Sequence, residues 1–316
     1  MSSTQLVNIE PVRVKRPKRV MKSGLTEQAS PQKVPKIIWM MWLQGFDNAP
    51  HAVKECYDSW VAHNPGWQVI LLDEQNFRDY VDVEDVLASD NNMQIQARAD
   101  VIRINLLAEY GGVWADATCF CRKPLESWID EYTKSGFFAF YKPSKIKLMD
   151  NWFMASHRDC YLTQKVRDES NAYWLSNTGL TRRKATLLSR VLEALCSRST
   201  ATTKHWFSFP VRKLTRSYPY AWFQFLFTKL VSEDARFGDI WEQTPKLSAD
   251  LPHRLLRLGI ISPLTQTAKE EIDNSVSPLY KLNWRYDPSK YTRDCTLYYL
   301  FNTEARQLTH PYRAET

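Results

Sequence analysis

Asp100 and Arg103 lie three positions apart in a segment of helical periodicity, so they share one face of a helix. An Asp–Arg pair on a helix is most often a surface ion pair of small value. Here the helix leads into a Gly111-Gly112 break, a short apolar run and Asp116-Ala117-Thr118. Because that order places a carboxylate where a buried strand ends, the segment favours a ligand site over a solvated helix face.

The elements around this segment alternate between strand and helix. Continuous apolar runs are typical of strands buried on both faces, and amphipathic stretches closed by Gly or Pro are typical of helices. The alternation predicts an α/β fold with a central, mostly parallel sheet and a largely helical C-terminal half. In chain order the predicted elements are strand 37–43, helix 52–63, strand 67–72, a helix through Phe77 and Tyr80, helix 94–110, strand 113–115 and strand 137–141.

Three predicted strand ends carry groups suited to a ligand: Trp42 to Gly45, Asp73, and Asp116 to Thr118. In open α/β sheets ligands bind beyond the carboxyl ends of the strands, so these ends predict one shared site. A carboxylate at a strand end also caps the turn that follows it. For Asp73 alone the ligand and the capping interpretations are equally weighted.

Charge is concentrated at the start of the chain. Residues 1–30 hold six basic residues against Glu10 and Glu27, a net +4 of the total +7, which leaves +3 for the other 286 residues. So balanced a folded part argues against a nucleic-acid-binding protein. We interpret residues 1–33 as a basic disordered tail, more often a plain solvated arm, for which peripheral contact with an anionic membrane surface is the better functional interpretation. Residues 34–316 are interpreted as one domain with helical insertions at about 160–260.

The cysteines and the hydropathy pattern bear on location. The six cysteines have no regular spacing, and no second Cys or His pair completes a zinc site, which indicates reduced, mostly buried thiols. No apolar run fits a signal peptide or a membrane span. We therefore expect a cytoplasmic protein, peripheral to the inner face of a membrane.

The central segment resembles the capsular polysaccharide synthesis protein family of DXD-type glycosyltransferases. This family is related to the α-mannosyltransferase-like enzymes and to the glucosylating toxins. The resemblance rests on Ala97–Arg103 and on Glu109–Asp116 and spans about residues 34–285. It implies a GT-A-like nucleotide-sugar-binding fold. The further matching segments are Val34–Trp39 with Trp42, Asn151–Phe153, Tyr220–Phe227 and Tyr280–Trp284.

The resemblance implies a role for each matching residue. Trp42 stacks on the nucleotide base, and Asp73 lies near the nucleoside. Asp100 and Arg103 hold donor-sugar hydroxyls and phosphate oxygens, tasks that suit an acceptor-only carboxylate and a multi-donor guanidinium. Asp116 meets Mn²⁺ or Mg²⁺ that bridges the diphosphate. Asp100, Arg103 and Asp116 are thus the implied catalytic residues.

Positions outside the central segment complete the implied site. Lys281 is either a closing cation on the donor or an ordinary solvated lysine, the latter with slightly more weight, and Trp284 is the candidate lid aromatic. Asn151 and Trp152 follow a predicted strand and lie on the acceptor side. For the Trp152 ring, a sugar platform and plain core are equally weighted.

Two positions depart from the wider pattern. Thr118 stands where the superfamily has a second carboxylate, and Gln224 stands in the aromatic stretch where a His is expected. A Thr hydroxyl is a poorer metal ligand than a carboxylate, so the metal rests mainly on Asp116, with Thr118 as second ligand. A direct role for Gln224 is in doubt.

The implied activity is transfer of a hexose, with retention, from a nucleotide diphosphate sugar (UDP-linked by default) to a glycan or glycolipid acceptor in capsule or surface polysaccharide synthesis. The alternative is a catalytically inactive carbohydrate- or nucleotide-sugar-binding protein on the same fold. A methyltransferase that uses Gly111-Gly112 as its loop fits poorly, because such a loop follows a strand and opens a helix. Here the pair follows a helix and opens a strand.

Overall fold

The apolar runs of the first half form neighbouring strands of one sheet. In a computed structural model, residues 33–88, 93–180 and 187–308 are described; the predicted tail, apart from Lys33, lies outside them. The described residues all belong to one compact unit. Its elements up to the last sheet strand are β1 (Ile37–Met41), α1 (His51–His63), β2 (Gln68–Leu72), α2 (Glu84–Ala88), α3 (Ile95–Tyr110), β3 (Gly112–Ala115), β4 (Cys119–Cys121), α4 (Ile129–Tyr132), β5 (Phe137–Ser144) and β6 (Lys147–Ser156).

The second half is mainly helical, as predicted. Its elements are α5 (Tyr161–Leu175), α6 (Leu187–Cys196), α7 (Thr200–Thr203), α8 (Phe209–Thr215), α9 (Trp222–Glu233), α10 (Ala235–Gln243), α11 (Arg254–Leu258), α12 (Gln266–Asp273), β7 (Leu279–Lys281) and α13 (Thr296–Leu308). Within the described ranges, none of the helices combines the length and apolar character that crossing a bilayer requires.

The main sheet has the strand order β2-β1-β3-β6-β5. β1 pairs in parallel with both β2 and β3, whereas β6 runs antiparallel to β3 and to β5. Four of the five strands therefore run in one direction, and the mixed α/β architecture is confirmed. A second sheet joins β4 to β7 in antiparallel register, with Cys119 opposite Lys281. This pairing brings Lys281 close to the residues that follow β3.

α3 is packed on almost every side, against β3, β6 and α5. Its buried residues include the charged Asp100 and Arg103 as well as the apolar positions. The prediction of a helix at 94–110 is confirmed. Burial of a carboxylate and a guanidinium inside such a helix is costly unless they are paired, which marks this face as a polar site.

Gly111 and Gly112 make the tight passage from α3 to β3. Both have positive φ, +68° and +90°, which L side chains rarely adopt. A Cβ on Gly112 would lie 2.7 Å from the carbonyl oxygen of Ile37. The pair thus lets β3 lie against β1 immediately after the helix ends, and so fixes the position of Asp116.

Two predicted elements differ in detail. The predicted helix through Phe77 and Tyr80 is wrong in length, because the segment forms a single 3₁₀ turn, Phe77–Asp79, followed by the short α2. Asn151 and Trp152 were predicted to follow a strand, but they lie inside β6. Asp and Asn are depleted in strands, so Asp150 and Asn151 made this segment look unlike a strand in the sequence.

The cysteine prediction is confirmed for the described residues. All six cysteines are free and buried. Cys119 and Cys121 point to the same side of β4 and pack in one hydrophobic cluster.

Candidate active site

The ends of β1 and β3 bring Trp42 and Asp116 to one edge of the sheet. The strands are in register, with Trp39 opposite Trp114, so the residues that follow them emerge side by side. They line a cavity of about 460 Å³, here called the first compartment, which is in the size range of ligand sites. Its lining includes Trp42, Gln44, Gln96, Arg103, Trp114, Asp116, Thr118, Tyr220, Lys281, Trp284 and Arg285.

Three donors surround the carboxylate of Asp116. Its Oδ1 accepts a hydrogen bond from Trp114 Nε1 at 2.9 Å and lies 3.2 Å from Arg103 Nη2. Its Oδ2 lies 3.2 Å from Lys281 Nζ. Burial by itself would raise the pKa of Asp116, but Lys281, Arg103 and the Trp114 hydrogen bond together hold this pKa below its ordinary value. Asp116 is therefore ionised at neutral pH.

Lys281 reaches this carboxylate from β7. Its ammonium group donates to Asp116 and also to the hydroxyl of Thr118. Burial alone would lower the pKa of Lys281, but the neighbouring Asp116 raises it above the ordinary value. The structure thus brings the predicted closing cation into the site as a charged group.

Asp100 and Arg103 form a buried pair one helical turn apart, with Asp100 Oδ1 3.4 Å from Arg103 Nη1. Burial raises the pKa of Asp100 to about 7, and the attraction of Arg103 offsets this only in part. Asp100 is therefore poised between its neutral and its charged form near neutral pH. The guanidinium also lies over the ring of Trp114, 4.9 Å from the ring centroid.

Asn151 connects this pair to the helical half of the molecule. Its Nδ2 donates to Asp100 Oδ1 at 2.7 Å, and its carbonyl oxygen accepts from Arg103 Nη1 at 2.5 Å. Its Oδ1 accepts from Gln224 Nε2 on α9 at 2.9 Å. Gln224, whose role was in doubt, thus orients Asn151 and acts on the site through it.

A second compartment of about 310 Å³ shares Gln96, Arg103, Asp116, Tyr220 and Lys281 with the first. Its other lining residues are Asp100, Lys147, Asp150, Asn151, Trp152, Gln224 and His253. The two compartments therefore meet at the charged groups around Asp116. This geometry fits two ligands that approach the same point from different sides.

Several lining residues were missed from the sequence. Lys147 and Asp150 face each other at 3.7 Å, and His253 Nδ1 lies 2.7 Å from the carbonyl oxygen of Ala249. A polar Asp-Asn step inside the otherwise apolar run of β6 was the available signal, since such residues need a reason to be in a buried strand. His253 comes from a connection about a hundred residues later and gave none.

The aromatic residues divide between site and core. The ring of Trp284, 40% exposed, meets Trp42 edge to face with centroids 5.7 Å apart. Trp152 is buried and stacks on Phe140 at 5.0 Å, and its Nε1 has no hydrogen-bond partner within the described part of the chain. Trp152 is therefore mainly a core residue with one edge on the second compartment.

Asp73 ends β2 but is not among the residues lining either compartment. Its Oδ1 accepts from the backbone N–H groups of Gln75 and Asn76 at 2.8 and 3.0 Å. This geometry matches the capping interpretation. Its contact with a nucleoside stays a prediction.

The predicted oxygen ligands of a divalent cation, the carboxylate of Asp116 and the hydroxyl of Thr118, both line the first compartment. Among the described residues, no three His, Cys, Asp or Glu side chains come together as a metal-binding group. Mg²⁺ is commonly held by one or two carboxylates together with substrate phosphates. The donor set fits a cation that arrives with a diphosphate. It does not fit one caged by protein alone.

The fold and the site define a mixed α/β protein with a cationic cleft at its strand ends. A family model described as capsular polysaccharide synthesis protein matches residues 14–206, and the chain belongs to this family. The match contains Asp100, Arg103, Asp116 and Asn151. It begins inside the segment predicted as a tail and ends before Lys281.

Two curated proteins and one solved structure are similar to the chain. O-glycosyltransferase braB of Annulohypoxylon truncatum is 31% identical over 39% of this chain and 34% of its own length. Inositol phosphoceramide mannosyltransferase 1 of Schizosaccharomyces pombe is 25% identical over 44% of each. The chain thus spans less than half the length of these relatives. The solved PaToxG glycosyltransferase has a TM-score of 0.36 at 14% identity, covering 78% of this chain and 86% of its own.

Proposed function

We propose that this protein is a glycosyltransferase that moves a hexose from a nucleotide diphosphate sugar, UDP-linked by default, to a glycan or glycolipid in capsule or surface polysaccharide synthesis. The observation that carries the proposal is the ionised Asp116, held between Arg103 and Lys281 where two compartments meet. Family membership and the names of the curated relatives support it.

The donor occupies the first compartment. Trp42 and Trp284 offer faces and edges for the base, and base stacking contributes about 1–3 kcal/mol. Arg103 and Lys281 lie where the diphosphate enters, and a guanidinium with a nearby ammonium suits phosphate oxygens. Asp100, in its charged form, accepts hydrogen bonds from sugar hydroxyls.

The acceptor occupies the second compartment, beside Asp150, Asn151 and His253. Transfer breaks the bond between the anomeric carbon and the diphosphate oxygen and forms one to the acceptor oxygen. We propose retention, because the departing diphosphate oxygen is then on the face the acceptor approaches and can take the acceptor proton. The cations around Asp116 stabilise the charge that develops on the leaving group, an effect worth about a hundred- to a thousandfold in rate per donor.

Asp116 and Thr118 would hold the predicted Mn²⁺ or Mg²⁺ together with the diphosphate of the donor. The ion would supply positive charge against the leaving nucleotide diphosphate. Lys281 makes contact with both of these residues. The metal requirement is therefore best measured with donor present.

A screen of nucleotide sugars for thermal stabilisation and for slow hydrolysis tests the proposal, with Mn²⁺, Mg²⁺ or EDTA. A true donor stabilises the fold by mass action and is hydrolysed only with metal. Asp116→Asn should lose hydrolysis by a hundredfold or more. Asp73→Asn, a carboxylate at the neighbouring strand end, is the matched control; loss of donor affinity there would instead support its nucleoside role.

Two outcomes separate the candidate functions. Stabilisation by a nucleotide sugar without turnover, in any metal, supports the alternative of an inactive binding protein, for which Thr118 in place of a carboxylate is the main argument. Absence of stabilisation by every nucleotide sugar contradicts the transferase and favours the alternative in its carbohydrate-binding form.

A further inference from the structure

Large apolar side chains are exposed on two neighbouring helices far along the chain from the sheet. On α6, Leu187, Val191 and Leu195 are spaced four residues apart, so they form one stripe, and they are 80%, 48% and 42% exposed. On α8, Phe209 and Leu214 are 67% and 58% exposed. Of the eleven exposed large hydrophobic residues in the described part of the chain, these five fall within 28 positions. Such a concentration is typical of an interaction surface.

The other sides of these helices pack together. Cys196 of α6 and Val211 of α8 belong to one buried cluster, together with Trp206 from the turn before α8. The helices that carry the exposed apolar side chains are therefore packed through a buried cluster of their own. The exposed side chains lie on the solvent side of these packed helices.

The same segment is strongly basic. Residues 187–216 hold six Lys and Arg against the single acid Glu193, a net +5. Residues 1–30 hold +4, so the remaining 256 residues carry 7 − 4 − 5 = −2. Four of the cations are exposed, namely Arg190, Arg198, Lys213 and Arg216. The Lys213 ammonium lies 5.6 Å from the centroid of the exposed Phe209 ring, so charge and apolar surface are interleaved.

We propose that residues 187–216, here the α6–α8 surface, dock on an anionic lipid bilayer. Apolar side chains on short helices enter the boundary between headgroups and acyl chains, while Lys and Arg meet the anionic headgroups. A second copy of the same surface fits poorly, because it would bring two clusters of +5 together. Nucleic acid explains the cations but leaves the apolar stripe of α6 without a partner.

The position of this surface suits an enzyme whose acceptor is carried by lipid. Tyr220, 62% exposed, lines both compartments of the site. It follows Arg216 by four residues, which span at most roughly 14 Å of extended chain. Docking would therefore bring the mouth of the site close to the membrane. The docking itself does not depend on the proposed catalysis, since it is measured without substrate.

Co-sedimentation of the full-length protein with lipid vesicles tests the proposal. Vesicles of phosphatidylcholine with phosphatidylglycerol should bind it, and vesicles of phosphatidylcholine alone should bind it much more weakly. Each cation near an anionic surface contributes about fivefold in affinity, so Arg190→Gln with Lys213→Gln should weaken binding about 25-fold. Val191→Gln with Phe209→Gln should weaken vesicle binding about tenfold or more. The same variant should insert less into the acyl-chain region, as measured by the fluorescence of a lipid probe in the bilayer.

Two full-length controls keep the result specific. Val61→Gln changes a side chain of similar exposure, 44%, on α1 and should bind as the parent does. Replacement of the six basic residues of 1–30 by Gln measures the separate contribution of the tail. Unchanged melting temperatures exclude misfolding of the variants. Three outcomes would each overturn the proposal. The parent and both surface variants could bind vesicles equally, or binding could be lost only when the tail is changed. The protein could also bind an acidic protein but neither kind of vesicle.

Discussion

Replacement of Lys281 by Met tests the charge balance of the site most directly. Met keeps most of the length of the side chain and removes the ammonium, which lies 3.2 Å from Asp116 Oδ2 and also contacts Thr118. At an effective dielectric constant of about 20, two charges at this separation attract by roughly 5 kcal/mol. Desolvation of both groups consumes much of this, so the gross attraction is an upper bound.

Asp116 keeps two of its three donors in this variant, Arg103 and Trp114. We therefore expect a loss of about 1–3 kcal/mol in the free energy of unfolding, which is below the cost of a fully orphaned buried charge. For a domain of this size the melting temperature should fall by a few degrees. Urea denaturation monitored by tryptophan fluorescence measures the change.

Turnover should fall much further than stability, by about a hundred- to a thousandfold, because the ammonium would stabilise charge on the leaving diphosphate. Mn²⁺ binding in the absence of nucleotide, followed by electron paramagnetic resonance, should become tighter, since Lys281 no longer contacts Asp116 and Thr118. Lys269→Met is the control, an exposed lysine paired with Asp273 on α12. Parental turnover and parental Mn²⁺ affinity in Lys281→Met would refute the role given to this residue.

Three further predictions follow from single contacts. Burial raises the pKa of Asp100 from 3.8 to about 7. Between about pH 4 and 7 the folded protein therefore holds a proton on Asp100 that the unfolded chain has lost. The free energy of unfolding should fall with rising pH across that window by up to about 4 kcal/mol. In Asp100→Asn this dependence of stability on pH should vanish, as measured by denaturation series from pH 4 to 8. In the parent protein, kcat/KM for the donor should rise about tenfold between pH 6 and 8. A flat parental profile would contradict the role of ionised Asp100 in donor binding. Gly112→Ala should lower the free energy of unfolding by about 2–4 kcal/mol, because its Cβ would lie 2.7 Å from the Ile37 carbonyl oxygen. Gly45→Ala, at φ +84° with open space around it, should lose only the energy of backbone strain. Equal losses in urea titrations would show that steric overlap at Gly112 is unimportant. Gln224→Leu removes the hydrogen bond to Asn151 Oδ1, so it should raise the KM for the nucleotide sugar and lower the free energy of unfolding by about 1–3 kcal/mol. The control Thr228→Val, one helical turn later, should leave this KM unchanged. Equal effects of the two variants would show that Gln224 contributes only to packing.

The parts of the site that sequence reasoning found are those built by local chain geometry. Asp100 and Arg103 meet because they are one turn apart, and Asp116 joins them because Gly111 and Gly112 return the chain directly into β3. These relations follow from helix periodicity and from backbone conformations that only glycine adopts readily.

The contacts that sequence reasoning did not predict join residues that are distant in the chain. Lys281 is 165 positions from Asp116 and reaches it only through the pairing of β4 with β7. Gln224 matters through Asn151, a partner 73 positions away, and no periodicity of α9 reveals that bond. The net charge of the folded part concealed the basic residues of α6 and α8, because an acidic remainder offsets them in the total. Local pattern therefore predicts which groups are present, and tertiary pairing decides which of them act on one another.

The charges in the site connect these residues to a single chemical task. With Asp116 ionised and Asp100 in its protonated form, the group that these two residues make with Arg103 and Lys281 has one positive charge in excess. The ionised phosphates of a nucleotide diphosphate sugar reverse that excess, and its departure as a free diphosphate adds further negative charge. The proposed divalent cation would restore the balance, and one carboxylate and one hydroxyl would then suffice as its protein ligands. Affinity for metal and for diphosphate should consequently be coupled, each raising the other by the same factor, and a site that bound Mn²⁺ equally well with and without nucleotide would contradict this account.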